Sequence, residues 1–255
     1  MTRPQLLTQP TGRFDLEVFE ARIREYARAH PGVLRILEAG CGRRWPLDLA
    51  GVDFRLTGVD LNSDSMRMRI EEQGDLDEAI VGDLREVPLS PDSYDVIYCS
   101  FVLEHVAGAE QVLDRLLAAL KPGGMLLLRV PDGDSVYGFL AKTSPYWLHV
   151  QYKRRIQRKK RAGTPGHGPF PTVYDPVISW KGMTVYFAHK GVEITDAYSS
   201  NFHLDHFRGL AQIADRGLRW VAQASRGRLT ADHNNLALVI RKPLLQLRQT
   251  EGAVR

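Results

Sequence analysis

The stretch Arg35-Ile-Leu-Glu-Ala-Gly-Cys-Gly-Arg43 decides the fold, because an apolar run here ends in an acid and two glycines one residue apart. Such a run predicts a strand that breaks into a tight turn. Gly40 and Gly42 have no Cβ, so their backbone can adopt conformations and approach a ligand in ways that other residues cannot. A second apolar run, Phe54–Asp60, also ends in an acid, 22 residues after Glu38. This is close to the spacing of about 20 residues at which an acid binds ribose hydroxyls beside a glycine-rich turn.

Short apolar runs alternate with segments of helical periodicity along most of the chain. The predicted strands are Arg35–Gly40, Phe54–Asp60, Glu78–Asp83, Tyr94–Ser100, Met125–Pro131, Gly191–Tyr198 and Asn235–Lys242. The predicted helices include Asp15–His30, a segment that begins at Asn62-Ser63, a segment that Lys121-Pro-Gly-Gly124 ends, Ser179–Lys190 and Leu204–Ala224. This alternation predicts an α/β fold in which a mostly parallel sheet of seven strands carries helices on both faces.

The composition fits one full-sized hydrophobic core. A chain of 255 residues with 44% hydrophobic content can bury roughly 70–75% of its unfolded surface without disulfide bonds. No apolar run approaches the ~18 residues of a membrane span, and Met1–Thr8 lacks the apolar stretch of a secretory signal. We therefore expect a cytoplasmic protein. Cys41 and Cys99 form neither a disulfide framework nor a metal-ligand pattern, so we expect packed thiols.

We interpret the whole chain, residues 1–255, as a single domain with an insertion. After the fifth predicted strand the βα rhythm stops, and aromatic, glycine, proline and basic residues accumulate. This change predicts an insertion that covers the crevice at the strand ends. The expected segments are an N-terminal helical segment (1–32), a cofactor-binding core (33–134), an insertion or acceptor lid (135–178), the completion of the sheet (179–243) and a weakly ordered tail (244–255).

Five motifs follow one another in order between residues 33 and 131. They are Leu37-Glu-Ala-Gly-Cys-Gly42, Gly58-Val-Asp-Leu61, Gly82-Asp-Leu84, Tyr94-Asp-Val-Ile-Tyr-Cys-Ser-Phe-Val-Leu-Glu-His-Val106 and Leu120-Lys-Pro-Gly-Gly124. Together they resemble the class I S-adenosylmethionine-dependent methyltransferases of the small-molecule type. A single Gly-x-Gly arises often by chance, whereas five motifs in order do not. The resemblance implies a single doubly wound, Rossmann-like domain and S-adenosyl-L-methionine as the cofactor.

The resemblance also implies roles for the residues of the turn and of the strand that follows it. The turn from Glu38 to Gly42 would pack against the methionine and ribose parts of the cofactor. Asp60 would accept hydrogen bonds from both ribose hydroxyls, and Leu61 would cover the face of the adenine. A purely structural role for Asp60, as a cap of the turn that follows its strand, is the alternative.

The remaining implied contacts lie after the next two strands. Asp83 and the backbone of Leu84 would bind the edge of the adenine, although Asp83 could also cap a turn. Ser100 and Phe101 would border the methionine end. The expected cofactor-binding residues are Glu38, Ala39, Gly40, Cys41, Gly42, Asp60, Leu61, Asp83, Leu84, Ser100 and Phe101.

One position departs from the family pattern. Many members have a third glycine two positions after the second, where this chain has Arg44, so that side chain must point away from the cofactor or touch it. The main competing interpretation, a nicotinamide-dependent oxidoreductase, would need its third glycine at Trp45. The pattern therefore favours S-adenosylmethionine. A cofactor-binding but catalytically silent module that binds a partner stays open, because the motifs describe only the cofactor side.

Methyl transfer from a sulfonium requires donor, carbon and acceptor to lie in line, so positioning is the main contribution to the rate. A general base adds about 10²–10⁴-fold. The motifs place His105 near the crevice, which makes it the candidate base for a hydroxyl acceptor, with a structural role as the alternative. His149, His167, His203, His206 and Asp132 are further candidates around the acceptor. Two of these histidines share one side of a helix, but because no third ligand is evident we predict no metal site.

Seven cations fall within the nine residues Lys153–Arg161, after the aromatic segment Tyr146–Val150. The whole chain carries +4 and the rest of it about −3, so the positive charge is concentrated here. The run could bind an anionic or sugar-containing acceptor, make peripheral contact with a membrane, or form a solvated face. Nucleic-acid binding is the least favoured, because no recognised binding module accompanies the run. The leading hypothesis for the acceptor is a hydroxyl of a sugar or natural product, and the sequence does not indicate an oligomeric state.

Overall fold

A computed structural model describes residues 4–9, 13–61, 63–164, 168–201 and 211–244. The strands are β1 (Leu7–Thr8), β2 (Leu34–Ala39), β3 (Phe54–Asp60), β4 (Glu78–Val81), β5 (Tyr94–Ser100), β6 (Leu120–Pro131), β7 (Glu193–Ser200) and β8 (Asn235–Arg241). The helices are α1 (Phe14–Ala29), α2 (Ser63–Glu72), α3 (Ala109–Ala119), α4 (Val136–Thr143), α5 (Tyr146–Arg155), α6 (Trp180–His189) and α7 (Ala211–Ala224), with a 3-10 turn at Leu103–His105.

The strands form one mixed sheet in the order β1-β7-β8-β6-β5-β2-β3-β4. Neighbouring strands from β6 to β4 pair in parallel, and β8 lies antiparallel between β6 and β7. The α/β prediction is confirmed, but the prediction of seven strands is wrong by one. The additional strand is β1, which pairs in parallel with β7 at the sheet edge. Two residues are too few to show the alternation by which a strand is recognised in a sequence.

The helix before Lys121-Pro-Gly-Gly124 ends at this motif as predicted, but the next strand begins at Leu120 and not at the predicted Met125. Helix α3 ends at Ala119, and these four residues already belong to β6. Gly123 N donates to Lys242 O at 2.9 Å, and Lys242 N donates to Gly124 O at 3.0 Å. Pairing with the residue that follows β8 therefore keeps this segment extended, and no local signal announces a partner so distant in the sequence.

Helices cover both faces of the sheet, as predicted. On one face, α1 buries Phe19 and Ile23 against β2, β3, β5, β6 and β8. On the other face, α3 buries Leu113 and Leu116, and α6 buries Phe187, against the same strands. Complete burial of such a side chain contributes about 1.5–3 kcal/mol. The two cores hold the carboxyl ends of the parallel strands together at one edge, and the candidate site lies there.

The segment between β6 and β7 contains α4, α5 and an irregular stretch before α6. Ser135 Oγ accepts a hydrogen bond from Gly138 N at 2.9 Å and caps α4. Ser179 caps α6 in the same way, through Gly182 N at 3.0 Å. Helix α6 agrees with its predicted bounds. Helix α5 ends at Arg155, so only the first three cations of the basic run are helical.

The described part of the predicted helix Leu204–Ala224 is α7, and residues 202–210 lie outside the described residues, as do residues 245–255 of the expected tail. Within the described ranges, no helix combines the length and the apolar character that crossing a bilayer requires. The cytoplasmic location and the division of the chain into segments stay predictions.

Candidate functional site

The glycine turn follows β2, between the carboxyl ends of β3 and β5, at the edge where open α/β sheets bind ligands. Gly40 has a φ of 77° and Gly42 a φ of 53°, both in the left-handed region that favours glycine. A Cβ on Gly40 would lie 2.2 Å from Val102 Cγ2, whereas one on Gly42 would meet no described atom within 4 Å. Gly40 therefore lets the turn pack against the segment after β5, and Gly42 borders open space.

Asp60 ends β3 beside this turn. Its Oδ2 accepts a hydrogen bond from Gly42 N at 2.7 Å, which ties the second glycine to the neighbouring strand. The next residue, Leu61, is 72% exposed. A carboxylate and an exposed apolar side chain thus stand together at the border of the open space.

Glu38 is buried and makes an ion pair with α2. Arg69, which is itself fully buried, donates to Glu38 Oε2 at 2.6 Å and to the carbonyl oxygen of Cys41 at 2.7 Å. The same guanidinium donates to both carboxylate oxygens of Asp75 at 3.0 Å. Burial raises the pKa of Glu38, and Arg69 opposes that shift. Through Arg69, the acid at the end of β2 braces the turn that follows it.

Asp83 lies in the turn after β4, two residues beyond Val81, where the strand ends earlier than predicted. Arg85 holds both of its oxygens, with Nε at 3.0 and 3.1 Å and Nη2 at 2.6 Å. These hydrogen bonds keep the pKa of Asp83 below its ordinary value. The neighbouring Leu84 is buried. Any adenine edge bound here would meet a carboxylate that Arg85 has already oriented.

The remaining residues of the turn are packed inside the protein. Ala39 and Cys41 are buried, and Cys41 Sγ lies 3.7 Å from Met66 Sδ. Burial raises the pKa of both Cys41 and Cys99. The prediction of packed, reduced thiols is therefore confirmed.

Ser100 ends β5, and Phe101 follows it with a φ of 53°. A bulky residue in this region is strained by about 1–3 kcal/mol, and such strain clusters at functional sites. Phe101 N donates to Arg129 O at 2.8 Å, and the Arg129 guanidinium lies 4.9 Å from the centre of the Phe101 ring. Neighbouring β6 therefore holds the strained residue in place at the end of β5.

Residues 12–173 match the protein family described as a methyltransferase domain. The chain belongs to the class I S-adenosylmethionine-dependent methyltransferase family. Among related proteins, trans-aconitate 2-methyltransferase of Paracidovorax citrulli is 32% identical over 116 residues, 44% of this chain and 42% of that protein. Malonyl-acyl-carrier-protein O-methyltransferase of Erwinia billingiae is 24% identical over 181 residues, 66% of this chain and 71% of that protein.

A methyltransferase structure from Methanosarcina mazei shares the fold, with a TM-score of 0.51 and 16% identity over 88% of this chain and 97% of that one. The chain spans about two fifths of the length of the trans-aconitate methyltransferase it matches. Membership of the methyltransferase family makes S-adenosylmethionine the cofactor, so the nicotinamide alternative is wrong.

The residues of the glycine turn and those beside it fit S-adenosylmethionine. The open space beside Gly42 leaves room for ligand atoms against bare backbone, and Asp60 presents a carboxylate there for ribose hydroxyls. Leu61 offers an exposed apolar surface to an adenine ring, and Asp83 an oriented acceptor to its amino group. The contacts themselves stay predictions.

A cavity of about 1320 Å³ opens at the ends of β5, β6 and β7, and its wall includes Phe101. Tyr137, Tyr152 and Phe170 also line it, together with Tyr174, which shares the left-handed backbone of Phe101 with a φ of 53°. Ligand sites commonly measure roughly 300–1,000 Å³, so the cavity has room for a sizeable acceptor. Much of its wall comes from the segment after β6.

His105 lies on the wall of this cavity. Its Nδ1 is 2.7 Å from Pro171 O, and because a carbonyl can only accept, Nδ1 carries the proton. In the neutral ring Nε2 therefore keeps its lone pair, 3.7 Å from Glu104 Oε1. Burial and the positive charge of Lys153 lower the pKa of His105, so the ring is neutral at pH 7. The Phe170 ring packs edge-on against it, with the ring centres 6.0 Å apart.

Glu104 is a candidate that the motif analysis missed. Its carboxyl group is buried on the wall of the cavity, and Oε2 has no hydrogen-bond partner among the described residues. Burial raises its pKa to about 8. The backbone of Glu104 is tied to the segment that faces it, because its carbonyl oxygen accepts from Val173 N at 2.8 Å.

The other acceptor candidates have different surroundings. Asp132 is buried and bonded to His233 Nε2 at 2.7 Å and to Asp134 N at 2.9 Å, which is a structural arrangement. His149 lines the cavity and lies 2.7 Å from Ser144 Oγ. His167, His203 and His206 lie outside the described residues, and within those described no three potential ligands are grouped around a possible metal position.

The seven cations of the basic run separate into two groups. Lys153 and Lys159 line the cavity. The other five, which are exposed and do not line it, are Arg154, Arg155, Arg158, Lys160 and Arg161. Burial and the charge of Lys159 lower the pKa of Lys153. A run that looks uniform in the sequence thus contributes only part of its charge to the site.

The residues that the sequence reasoning missed reach the site from other elements. Arg69 and Arg85 pair with acids of the predicted cofactor site, and Glu104, Arg129 and Asn234 line the cavity. Glu104 belongs to the motif Tyr94–Val106, so its position beside His105 was the one signal in the sequence for a role in the site. The other four are ordinary basic or amide residues whose partners become visible only in the folded chain.

Proposed function

We propose that this chain transfers a methyl group from S-adenosylmethionine to a hydroxyl of a small-molecule acceptor, a sugar or another natural product. The hydrogen bond from His105 Nδ1 to Pro171 O carries the proposal. It leaves Nε2 able to accept a proton at the wall of a large cavity beside the cofactor residues. A hydroxyl is the acceptor that gains most from such a base, because its proton must leave as the oxygen is methylated.

When bound, the cofactor supplies a methyl group on a positively charged sulfur. Asp60, Leu61 and Asp83 would hold the ribose and adenine, and Phe101 would lie between them and the cavity. His105 Nε2 would accept the proton of the acceptor hydroxyl as its oxygen is methylated, and S-adenosylhomocysteine would be released. Orientation can lower the barrier by about 7–11 kcal/mol, and a base by about 3–5 kcal/mol.

The segment after β6 supports the proposed lid over the acceptor. Pro171 and Val173 hold the 3-10 turn that carries His105, and Tyr137, Tyr152 and Tyr174 give the cavity aromatic walls. Sugars and ring-shaped natural products both pack on such rings. We extend the proposal to acceptors with an anionic part, which Lys153 and Lys159 would bind at the wall of the cavity.

The test is transfer of labelled methyl from S-adenosylmethionine into small-molecule extracts. An alkali-stable methyl ether among the products supports the proposal, whereas an alkali-labile methyl ester shows a carboxylate acceptor instead. The two named relatives are methyltransferases for trans-aconitate and a malonyl carrier protein, so this distinction matters. Binding of S-adenosylhomocysteine with no labelled product from any extract would favour the silent, partner-binding module.

Peripheral membrane contact is a separate proposal for the outer side of α5. Trp147 is 62% exposed and, like the exposed cations Arg154 and Arg155 of the same helix, does not line the cavity. Exposed aromatic and basic side chains on one helix favour an anionic lipid surface. Cosedimentation with vesicles that contain phosphatidylserine, compared with neutral vesicles, tests it, and equal sedimentation with both would count against it.

A further inference from the structure

Two buried oxygen atoms on the wall of the acceptor cavity lack hydrogen-bond partners among the described residues: Glu104 Oε2 and Asn234 Oδ1. Both residues are almost fully buried, at 4% and 2% exposure. Leaving a buried polar atom unpaired costs about 1–3 kcal/mol. Both residues line one cavity, so two such costs there indicate that a ligand in the cavity supplies the missing partners.

The hydrogen bonds of the Asn234 amide group show which of its atoms is left for a ligand. Asn201 Nδ2 donates to Ala231 O, so Asn201 Oδ1 must accept. Asn234 Nδ2 donates to that oxygen at 3.0 Å. The atom left over is Asn234 Oδ1, which can only accept a hydrogen bond. The ligand must therefore bring a donor to this position.

Glu104 requires a different kind of hydrogen-bonding group from the ligand. Burial favours its protonated form, which both donates and accepts, while the ionised form only accepts. A hydroxyl satisfies either form, because it donates and accepts through one atom. A carboxylate satisfies only the protonated form, and it cannot donate to Asn234. Among small-molecule groups, hydroxyls therefore meet both demands.

We infer that the acceptor is a polyhydroxylated molecule, with one hydroxyl bound by Glu104 beside His105 and a second bound by Asn234. This inference rests on the proposed function and narrows its substrate class. Glu104 and Asn234 lie beyond the ends of different strands, β5 and the start of β8, so one ligand that satisfies both must extend along the cavity. The aromatic rings of the cavity wall would pack on the carbon skeleton.

The test compares Glu104→Leu, Glu104→Gln and Asn234→Leu with a matched control, Glu20→Leu. Glu20 is also a buried acid, but its Oε1 accepts from Arg13 Nη2 at 3.1 Å and from Asp48 N at 2.8 Å, and its Oε2 lies 3.9 Å from Arg24 Nη1. Wild type and variants are assayed with labelled S-adenosylmethionine and with the extract fraction that the wild type methylates. UDP-glucose serves as a defined hydroxylated probe, and trans-aconitate as a defined carboxylate probe. Thermal unfolding is measured in parallel.

Removing a buried carboxyl whose Oε2 has no described partner should not weaken the fold. We expect Glu104→Leu to raise Tm by about 2–4 °C, while Glu20→Leu lowers it. For transfer, Glu104→Leu and Asn234→Leu should each lower kcat/KM by about 10- to 100-fold, mainly through KM. Glu104→Gln, which still donates and accepts, should recover much of that loss.

The outcomes separate this inference from the function on which it rests. A wild-type protein that labels no acceptor overturns both. An active wild type with unchanged kcat/KM in Glu104→Leu and Asn234→Leu overturns this inference alone. Preferred labelling of trans-aconitate overturns both, because it shows a carboxylate acceptor and not a hydroxyl. A fall in Tm for Glu104→Leu equal to that of Glu20→Leu would show that Glu104 is a structural residue.

Discussion

The cofactor side and the acceptor side of the site satisfy their polar groups in different ways. On the cofactor side the acids are already paired within the protein: Glu38 with Arg69, Asp60 with Gly42 N, and Asp83 with Arg85. On the acceptor side, Glu104 Oε2 and Asn234 Oδ1 are buried and have no described partner. The acids of the cofactor side are therefore oriented before any ligand binds, whereas Glu104 and Asn234 depend on a ligand to complete their hydrogen bonds.

The difference follows from what each side must do. A cofactor common to the whole family is best bound by a turn that is rigid in advance, because pre-oriented groups lose little entropy on binding. An acceptor that differs between members is selected by groups that only the right ligand can pair. The two aromatic residues with a left-handed backbone among those described, Phe101 and Tyr174, both line the cavity.

The largest effect should come from breaking the pairing on the cofactor side. We expect Arg69→Ala to lower the free energy of unfolding by about 3–5 kcal/mol, because it leaves Glu38 buried without its cation. Urea unfolding measures the change. Arg67→Ala is the matched control on the same helix, since Arg67 makes an exposed ion pair with Asp64 at 3.3 Å. Its loss should stay within about 1 kcal/mol. Equal losses for the two variants would contradict a bracing role for Arg69.

The next effect tests the base on the acceptor side. His105→Gln should lower kcat by about 10²–10⁴-fold while leaving the affinity for S-adenosylhomocysteine unchanged. His30→Gln is the control, because His30 Nδ1 also bonds a backbone carbonyl, Tyr26 O at 3.0 Å, but His30 directly follows α1 and does not line the cavity. Both variants are assayed by label transfer and by calorimetric binding of S-adenosylhomocysteine.

The pH dependence of His105 follows from its lowered pKa. A base works in its deprotonated form, so activity is present above the pKa of His105 and is lost as pH falls through it. Because burial and Lys153 lower that pKa below 6.5, the acid limb of kcat/KM should lie below pH 6.5. Glu104 also faces this ring, so the limb must be compared in Glu104→Gln. A limb that persists unchanged in His105→Gln would rule out His105 as its source.

A smaller effect is expected on cofactor affinity when a carboxylate of the cofactor side is removed without unfolding the protein. Asp60→Ala should weaken binding of S-adenosylhomocysteine by about 10- to 100-fold, the loss expected for hydrogen bonds to a charged group. Asp77→Ala is matched, because Asp77 accepts from Leu56 N at 2.7 Å near the other end of the same strand. That control should change stability but not affinity, and calorimetry distinguishes the two. Unchanged affinity in Asp60→Ala would leave Asp60 as a turn cap.

The smallest effect separates two cations that are neighbours in the sequence. Lys159 lines the cavity and Lys160 does not. Lys159→Ser should raise the KM for an anionic acceptor by about two- to five-fold at low salt, as for exposed ion pairs, and Lys160→Ser should leave it unchanged. The difference should shrink as salt is added. If both variants behave alike, the run acts only through its general charge or as a solvated face.

The sequence predicted the cofactor side because its signals are local. The glycines from Gly40 to Gly42 and the acid of Asp60 stand within or directly after single strands, where a fixed spacing carries the information. The structure places each of them at the carboxyl edge of the sheet. Arg69 and Arg85 escaped notice because an arginine on a helix or in a turn has no distinguishing pattern until its carboxylate partner is in place.

The acceptor side was recognised only in outline. The insertion after Pro131 and its basic run were visible, but the division of that run between cavity and solvent depends on where α5 ends. Strand β1 and the extended start of β6 were missed for a related reason, since each is held by pairing with residues more than a hundred positions away.

The sequence by itself determined the α/β class, the methyltransferase turn and the acids that follow the strands, because local spacing and periodicity specify them. Only the tertiary structure decided which nitrogen of His105 is free, which cations reach the cavity, and that Glu104 and Asn234 await partners. Those properties depend on burial and on contacts between distant segments. The energy of a polar group is set by what surrounds it in space, not by its neighbours along the chain.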